Sequence, residues 1–264
     1  MTDKICDIQG KVKSYKPLIH CITNPISINQ CANVILAIGG KPIMAEHPGE
    51  VCEITDTADA LMLNTGNITD VRLESIALSA MKAKEKCIPF LLDVVGIACS
   101  KLRREFVLDL LKISVPSVIK GNYSEITALG NSEYFSPGVD SETFADESFI
   151  SETVKKLAQK YQTVILATGE VDIMSDGKRT VFVKNGTPEL AFVTGTGCML
   201  GALCTTFMVF ASPMDAAISA CCYFGISGEL AKIEKGYGSY MVNLIDKIST
   251  LSREEIQKYK MEEI

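Results

Sequence analysis

The sequence lacks both glycine-rich signatures that most readily announce a nucleotide site. No G-x-x-x-x-G-K-[ST] phosphate loop occurs, and no G-x-G-x-x-G opens a helix after the first strand. A P-loop kinase and a Rossmann-type dehydrogenase are therefore both set aside. Histidine is scarce, with His20 and His47 alone. His20 precedes Cys21, which invites a Cys/His dyad, but adjacent strand residues point to opposite faces. Ten cysteines are present, yet none is spaced C-x-x-C, and Cys221-Cys222 is an adjacent pair inside an apolar run. That spacing offers no zinc ligand set. It suggests reduced thiols used mostly as small core residues, as in a cytoplasmic protein. The first residues, MTDKICDIQGKVKSYK, have no apolar signal core. The longest apolar stretch, Cys198 to Ala211, is broken by Gly201, Thr205 and Thr206. It falls short of the ~20 residues a membrane span needs. Clustered basic residues are also missing, and the formal charge is -6. A nucleic-acid partner is not expected.

What is present is an ordinary globular composition, 47% hydrophobic and 22% charged over 264 residues. That length admits one large α/β domain or two small ones, and no linker divides it. Short apolar runs alternate with amphipathic ones, so a single α/β domain over residues 1–264 is expected, with a mainly parallel sheet covered by helices.

Strands are predicted at Leu18–Ile22, Pro42–Ala45, Ala60–Leu63, Pro89–Asp93, Ser117–Lys120 and Thr163–Ala167. Helices are predicted at Ser27–Ile38, ending at Gly39-Gly40, and at Asp70–Lys86, Leu102–Ile113 and Ser148–Tyr161. Val71, Ala77, Leu78 and Met81 are expected to face inward from the second of these. Asn131 to Glu147 reads as a polar surface excursion. Val171–Met174 and Thr180–Val183 flank Ser175-Asp176-Gly177-Lys178, a hairpin signal. A further strand is expected at Leu190–Val193. Helical stretches follow at Gly197–Ala211, at Pro213–Lys232 and from Tyr240 onward.

Four strand ends carry groups suited to chemistry. The sharpest is Thr194-Gly195-Thr196-Gly197-Cys198, which runs into the apolar helix MLGALCTTFMVF. Two glycines let the backbone approach a ligand, and the helix start presents free N–H groups and the positive end of its dipole. An anion suits that geometry, in particular the charge on a transferring phosphoryl group. A plain tight turn into a packed helix has the same signature. Cys198 in the first turn has a lowered thiol pKa on this reading and serves as general base; it also reads as a small apolar helix-start residue.

Lys120-Gly121-Asn122-Tyr123-Ser124-Glu125 follows the strand SVI. Strand ends that lead into helices are where ligands bind in open α/β sheets. Asn122 and Glu125 lie three apart and suit Mg²⁺. The same residues make an ordinary helix cap. Lys120 suits phosphate. Asp93 ends the strand PFLLD and suits a metal or phosphate site, and Thr168-Gly169 ends VILA, where a glycine lets backbone amides approach a nucleotide.

In this order the segments HCITNPISIN, PIMA, GNYSEI, ATGEVD and GTGCMLGA resemble those of the hydroxyethylthiazole kinases, members of the ribokinase-like superfamily. The resemblance covers most of the chain from about Leu18. It implies a three-layer αβα fold and ATP-dependent phosphorylation of the alcohol of 4-methyl-5-(2-hydroxyethyl)thiazole in thiamine salvage. It also implies Mg²⁺ and a homotrimer with active sites at subunit interfaces. By the same resemblance Met44 and Gly195 are thiazole contacts, and Lys120 and Thr168 are ATP contacts. Asn122 and Glu125 match the N-x-x-E metal motif, with Asp93 as a further metal-site residue. Gly195 and Gly197 form the anion hole, and Cys198 stands where most of the superfamily has an aspartate base. The family pattern D-P-V-G is here Asp93-Val94-Val95-Gly96, without the proline.

Two other readings share the fold or the site: a nucleotide-dependent dehydratase acting on hydrated nicotinamide nucleotides, and a binding protein without turnover.

Overall fold

The computed structural model describes residues 1–131, 133, 146–232 and 234–258. Residues 132 and 134–145 of the Asn131–Glu147 excursion lie outside these residues.

Eight strands form one sheet: β1 (Leu18–Ile22), β2 (Lys41–Ile43), β3 (Ala60–Asn64), β4 (Phe90–Asp93), β5 (Val118–Asn122), β6 (Val164–Thr168), β7 (Asp172–Ser175) and β8 (Thr180–Val183). Their order is β2-β1-β3-β4-β5-β6-β7-β8, parallel through β6 and antiparallel at β7 and β8. The expected parallel body and antiparallel edge are both found. β3 and β4 are buried along their whole length, as strands covered on both faces must be.

Helices cover both faces. One layer holds α1 (Thr2–Tyr15), α2 (Ile28–Ile38), α8 (Thr196–Met208), α9 (Pro213–Leu230) and α10 (Tyr237–Thr250), with α11 (Arg253–Lys258) packed on α1. The other holds α3 (Val51–Thr57), α4 (Asp70–Lys86), α5 (Lys101–Ile113), α6 (Tyr123–Gly130) and α7 (Glu147–Tyr161). Two apolar cores follow, one on each face of the sheet. The architecture is a three-layer αβα fold.

Local chemistry explains most boundaries. α2 stops at Gly39, whose φ of 104° is left-handed and whose N–H closes onto Ile35 and Leu36. Thr69 caps α4 by accepting from the Arg72 N–H, and Ser100 caps α5 in the same way at Arg103. α1 and α3 are unannounced by the sequence reading. The buried side of α1 carries only Ile5, Ile8, Gln9 and Val12 amid polar residues.

Two expectations are corrected. In α4 the inward residues are Arg72, Ser75, Ile76, Ser79, Ala80 and Ala83, a helical i, i+3, i+4, i+7 stripe. Val71 and Met81 are exposed, and Ala77 and Leu78 are half-buried. Small residues bring this helix close to the sheet, and Arg72 is buried because its guanidinium donates to the carbonyls of Asn64, Gly66 and Asn67. The second is Leu190–Val193, which is not a strand. Residues Pro188–Phe192 form a short 3₁₀ helix with no buried residue. Pro188 removes a backbone donor that a ladder needs and fixes φ for a helical start. The glycine segment at 194–197 is therefore preceded by this turn and not by a strand.

Candidate active site

The parallel strands all end on one edge of the sheet, and their last residues are the candidates. Met44 follows β2, Asn24 lies just beyond β1, Asn64 ends β3, Asp93 ends β4, Lys120 and Asn122 belong to β5, and Thr168 ends β6. With strands ~4.8 Å apart, Met44 and Thr168 stand roughly 24 Å apart along this edge. The expected site residues are thus not one cluster. They form a row, with Asp93 and Lys120 near its middle.

Asn64, Asp93 and Lys120 are register partners on adjacent strands. Their side chains turn to the face covered by α8 and join there. Lys120 Nζ donates to Asp93 Oδ2 at 3.1 Å, and Asn64 Nδ2 donates to the same oxygen at 3.2 Å. Asp93 Oδ1 is buried and has no partner. Burial alone would push the Lys120 ammonium down, but the Asp93 carboxylate beside it reverses this and holds the cation charged.

α8 supplies the other wall. Gly195 precedes it at φ 93°, and no side chain caps its first turn. A side chain at 195 would be strained and would stand 3.2 Å from Ser27 Cβ, so the turn calls for glycine. A Cβ placed on Gly197 would lie 3.7 Å from Lys120 Nζ, which puts the ammonium beside this uncapped helix start. An uncapped N-terminus next to a lysine favours an anion.

Cys198 lies in the same turn and is nearly buried. Its Sγ accepts from Asn24 Nδ2 at 3.3 Å and from Asn64 Nδ2 at 3.4 Å. Burial, and then the Asp93 charge, push the thiol up; the hydrogen bonds and Lys120 oppose this. The lowering expected from the helix start does not win.

Glu125 and Asn122 form a capping box at the start of α6. Asn122 Oδ1 accepts from the Glu125 N–H at 2.8 Å, and Glu125 Oε2 accepts from the Asn122 N–H at 2.8 Å. Glu125 Oε1 accepts from the Gly96 N–H at 2.7 Å. The carboxyl is buried and pushed up to about 7 by that burial and by Asp93, against the pull of the two N–H donors. Capping and ligand binding remain compatible, because each oxygen keeps a second lone pair.

The turn after Asp93 stays ordered without proline. Glu125 holds Gly96, Thr65 Oγ1 donates to the Val95 carbonyl at 3.0 Å, and Arg104 Nε donates to the Ile97 carbonyl at 3.0 Å. Gly96 itself has φ 80°.

Thr168 Oγ1 donates to the Gly121 carbonyl at 3.3 Å and is half-buried at the β6 end of the row. His20 is a structural residue: its ring lies 2.9 Å from both Thr55 Oγ1 and the Ala45 carbonyl, away from Cys21.

A model of the hydroxyethylthiazole kinase family matches residues 10–254. This chain belongs to that family. Within it, a relative from Clostridium botulinum (strain Langeland) called hydroxyethylthiazole kinase 2 is 43% identical over 259 residues, covering 96% of this chain and 97% of the relative. The structure of a hydroxyethylthiazole kinase protein from Pyrococcus horikoshii OT3 superposes with a TM-score of 0.91 at 34% identity, covering 99% of each chain. A ribokinase-like superfamily protein from Enterococcus faecalis shares the fold, with a TM-score of 0.63 at 12% identity over 94% of each chain.

Asn24 and Asn64 are the site residues the sequence reading missed. The signal that flagged Asp93, a polar residue closing an apolar strand, is equally present in HCITN and ALMLN.

Proposed function

We propose that this protein uses ATP to phosphorylate the hydroxyl of 4-methyl-5-(2-hydroxyethyl)thiazole, acting as a single kinase domain over residues 1–264 in thiamine salvage. The observation that carries this is the position of Cys198: a sulfur that accepts from two amides in the first turn of an uncapped helix, with Lys120 alongside. Acceptor, transferring group and donor then line up along the strand row. Met44 contacts the thiazole ring at the β2 end, where a thioether suits an aromatic partner. Gly195 borders the same pocket. Thr168 and Lys120 bind ATP from the β6 and β5 side.

In the transfer, the alcohol oxygen bonds to the γ-phosphorus as the bond to the ADP oxygen breaks. Cys198, reacting as its thiolate, receives the hydroxyl proton and later releases it to solvent. The N–H groups around Gly195 and Gly197 stabilise charge on the phosphoryl oxygens. Asp93 and Glu125, with Asn122, are the residues to hold Mg²⁺. The unpartnered Asp93 Oδ1 fits an oxygen-preferring cation. Among the described residues no three acidic, histidine or cysteine side chains converge. When bound, Mg²⁺ offsets the charge of the triphosphate.

We further propose a homotrimer with the site at the subunit interface. Ile26 before α2, Leu36 on α2, Phe192 on the 3₁₀ turn, and Tyr237 and Val242 on α10 are all more than half exposed. The elements that bear them pack together. A cytoplasmic enzyme without nucleic-acid or membrane partners fits the charge of -6, and no described helix is long and apolar enough to cross a membrane.

The test is incubation with ATP, Mg²⁺ and the thiazole alcohol, with products identified by mass spectrometry. A thiazole phosphate plus ADP is expected, and its formation should stop when Mg²⁺ is chelated. Folded, ATP-binding protein that forms none refutes the proposal. A solution mass near three times the 28.7 kDa chain is expected, and a fully active monomer refutes the trimer.

A further inference from the structure

Two asparagine amides close on the Cys198 sulfur, and the orientation of each is fixed by a backbone group. Asn64 Oδ1 accepts from the Gly66 N–H at 2.8 Å. A backbone N–H only donates, so this corner of the amide is the oxygen and the opposite corner is the NH₂. That NH₂ faces Asp93 Oδ2 at 3.2 Å and Cys198 Sγ at 3.4 Å. Asn24 is fixed in the same way. Its Oδ1 accepts from the Ser27 N–H at 3.1 Å, leaving Nδ2 toward Asn64 Oδ1 at 3.3 Å and Cys198 Sγ at 3.3 Å. Donor and acceptor assignments agree at every contact of the pair.

Asn64 therefore stands between two groups that repel when both are ionised, the Asp93 carboxylate and the Cys198 thiolate. It has two N–H protons and two acceptors to serve. A side chain of the same shape without those protons would leave the anions facing each other across a buried site. The groups that act on the sulfur are Asp93 and Lys120 from the sheet, Asn24 and Asn64 from the strand ends, and Ser27 and the Cys31 thiol from the α2 side.

We propose that Asn64 is a positioning residue for phosphoryl transfer, donating to Asp93 and Cys198 at once and so holding the sulfur as a proton acceptor beside a carboxylate. The proposal rests on the kinase reading of the site. The thiol proton is taken from and returned to oxygen, and no redox step is involved.

Asn64→Asp keeps the shape and can still accept from the Gly66 N–H and from Asn24, but it cannot donate to both neighbours. Asn64→Ala removes donor and acceptor without adding charge. Both should lower kcat, by ~10–100-fold, part of the 10²–10⁴-fold typical of a general base. KM for ATP and for the thiazole should stay within about threefold of the parent, as for an interaction made only in the transition state. The independent readout is iodoacetamide alkylation of Cys198 in intact protein, followed by mass spectrometry of its peptide, with exposed Cys87 as internal reference. Followed from pH 7 upward, alkylation of Cys198 should be slowed in the variants along a rate curve displaced to higher pH, with the deficit closing once the thiol is fully ionised in both proteins. A purely structural role predicts a curve with the same midpoint, scaled equally at every pH or unchanged. Either result in a folded variant overturns the proposal.

Should neither variant fold, the unmodified protein still decides. The Asn64 side-chain amide resonances should move when Cys198 alone is alkylated, and fixed resonances overturn the proposal. Failure to phosphorylate the thiazole would sink the kinase reading while leaving the alkylation and amide results to be judged separately.

Discussion

Lys120 on β5 and Asp93 on β4 are register partners, and their charged ends meet at 3.1 Å with both side chains almost fully buried. Breaking a buried pair from one side leaves an unpaired charge, which costs ~3–5 kcal/mol. Lys120→Met is expected to lose that much stability and most ATP binding. Lys120→Met combined with Asp93→Leu should recover part of the stability and none of the activity. Denaturant unfolding of the two single variants and the double variant checks this. Strictly additive losses would show the two groups to be uncoupled.

Cys198→Ala should retain a small residual activity, because the helix start and Lys120 still stabilise the phosphoryl charge. The expected drop is ~10²-fold or more, the usual range for a general base. Cys198→Asp should restore turnover to the parental level or above, since a carboxyl gives up its proton at lower pH than a thiol in the same surroundings. No phospho-cysteine should form in the parent. Steady-state kinetics and intact-protein mass during turnover measure both, and a fully active alanine variant would leave the thiol as packing alone.

Glu125 separates capping from ligand binding. Glu125→Gln keeps one acceptor for the Asn122 N–H but turns its NH₂ toward the Gly96 N–H, so it should cost some stability, and Glu125→Ala, which loses both acceptors, should cost more, ~1 kcal/mol or above. Both should blunt activation by Mg²⁺. Equal Mg²⁺ response in Glu125→Gln and the parent would leave only the capping role.

The same carboxyl makes a pH signature in protein free of Mg²⁺ and ATP. Its folded value of about 7 lies above the ~4.5 of an open glutamate, so the folded state binds the proton more tightly. Stability from this group is fully present below pH ~4.5 and is lost as pH rises through 7. Thermal unfolding across pH 4 to 8 should show this downward slope in the parent and lose it in Glu125→Gln.

His20 acts in the opposite direction. Burial, the largest influence, lowers its pKa despite the hydrogen bond to Ala45. The Ala45 carbonyl only accepts, so Nε2 carries the proton and Nδ1 accepts from Thr55. A depressed histidine favours folding above the ordinary value of ~6.5, and that contribution is lost as pH falls through its folded value. His20→Gln should flatten the acid side of the stability profile. It should also raise KM for the thiazole, since His20 tethers the residue after Met44.

Much was legible in the sequence because it is local. Apolar runs closed by polar residues gave the parallel strands and put Asp93, Lys120, Asn122 and Thr168 on one edge, where βα connections must bring their ends. Gly39 and the Asn122/Glu125 pair marked helix boundaries through caps that need only neighbouring residues. The order of five segments pointed to the family. The α4 face departs from hydrophobic periodicity because the helix buries serines, alanines and an arginine that satisfies the carbonyls of Asn64, Gly66 and Asn67. What no local pattern contains is which polar residue meets which. Asn24 and Asn64 reach Cys198 across 174 and 134 residues of chain. Those contacts exist only once the sheet sets the register of β3, β4 and β5 and α8 is laid over them. The sequence determined the chemistry available at each strand end; the packed layers alone decided that a thiol, two amides, a carboxylate and an ammonium share one buried network.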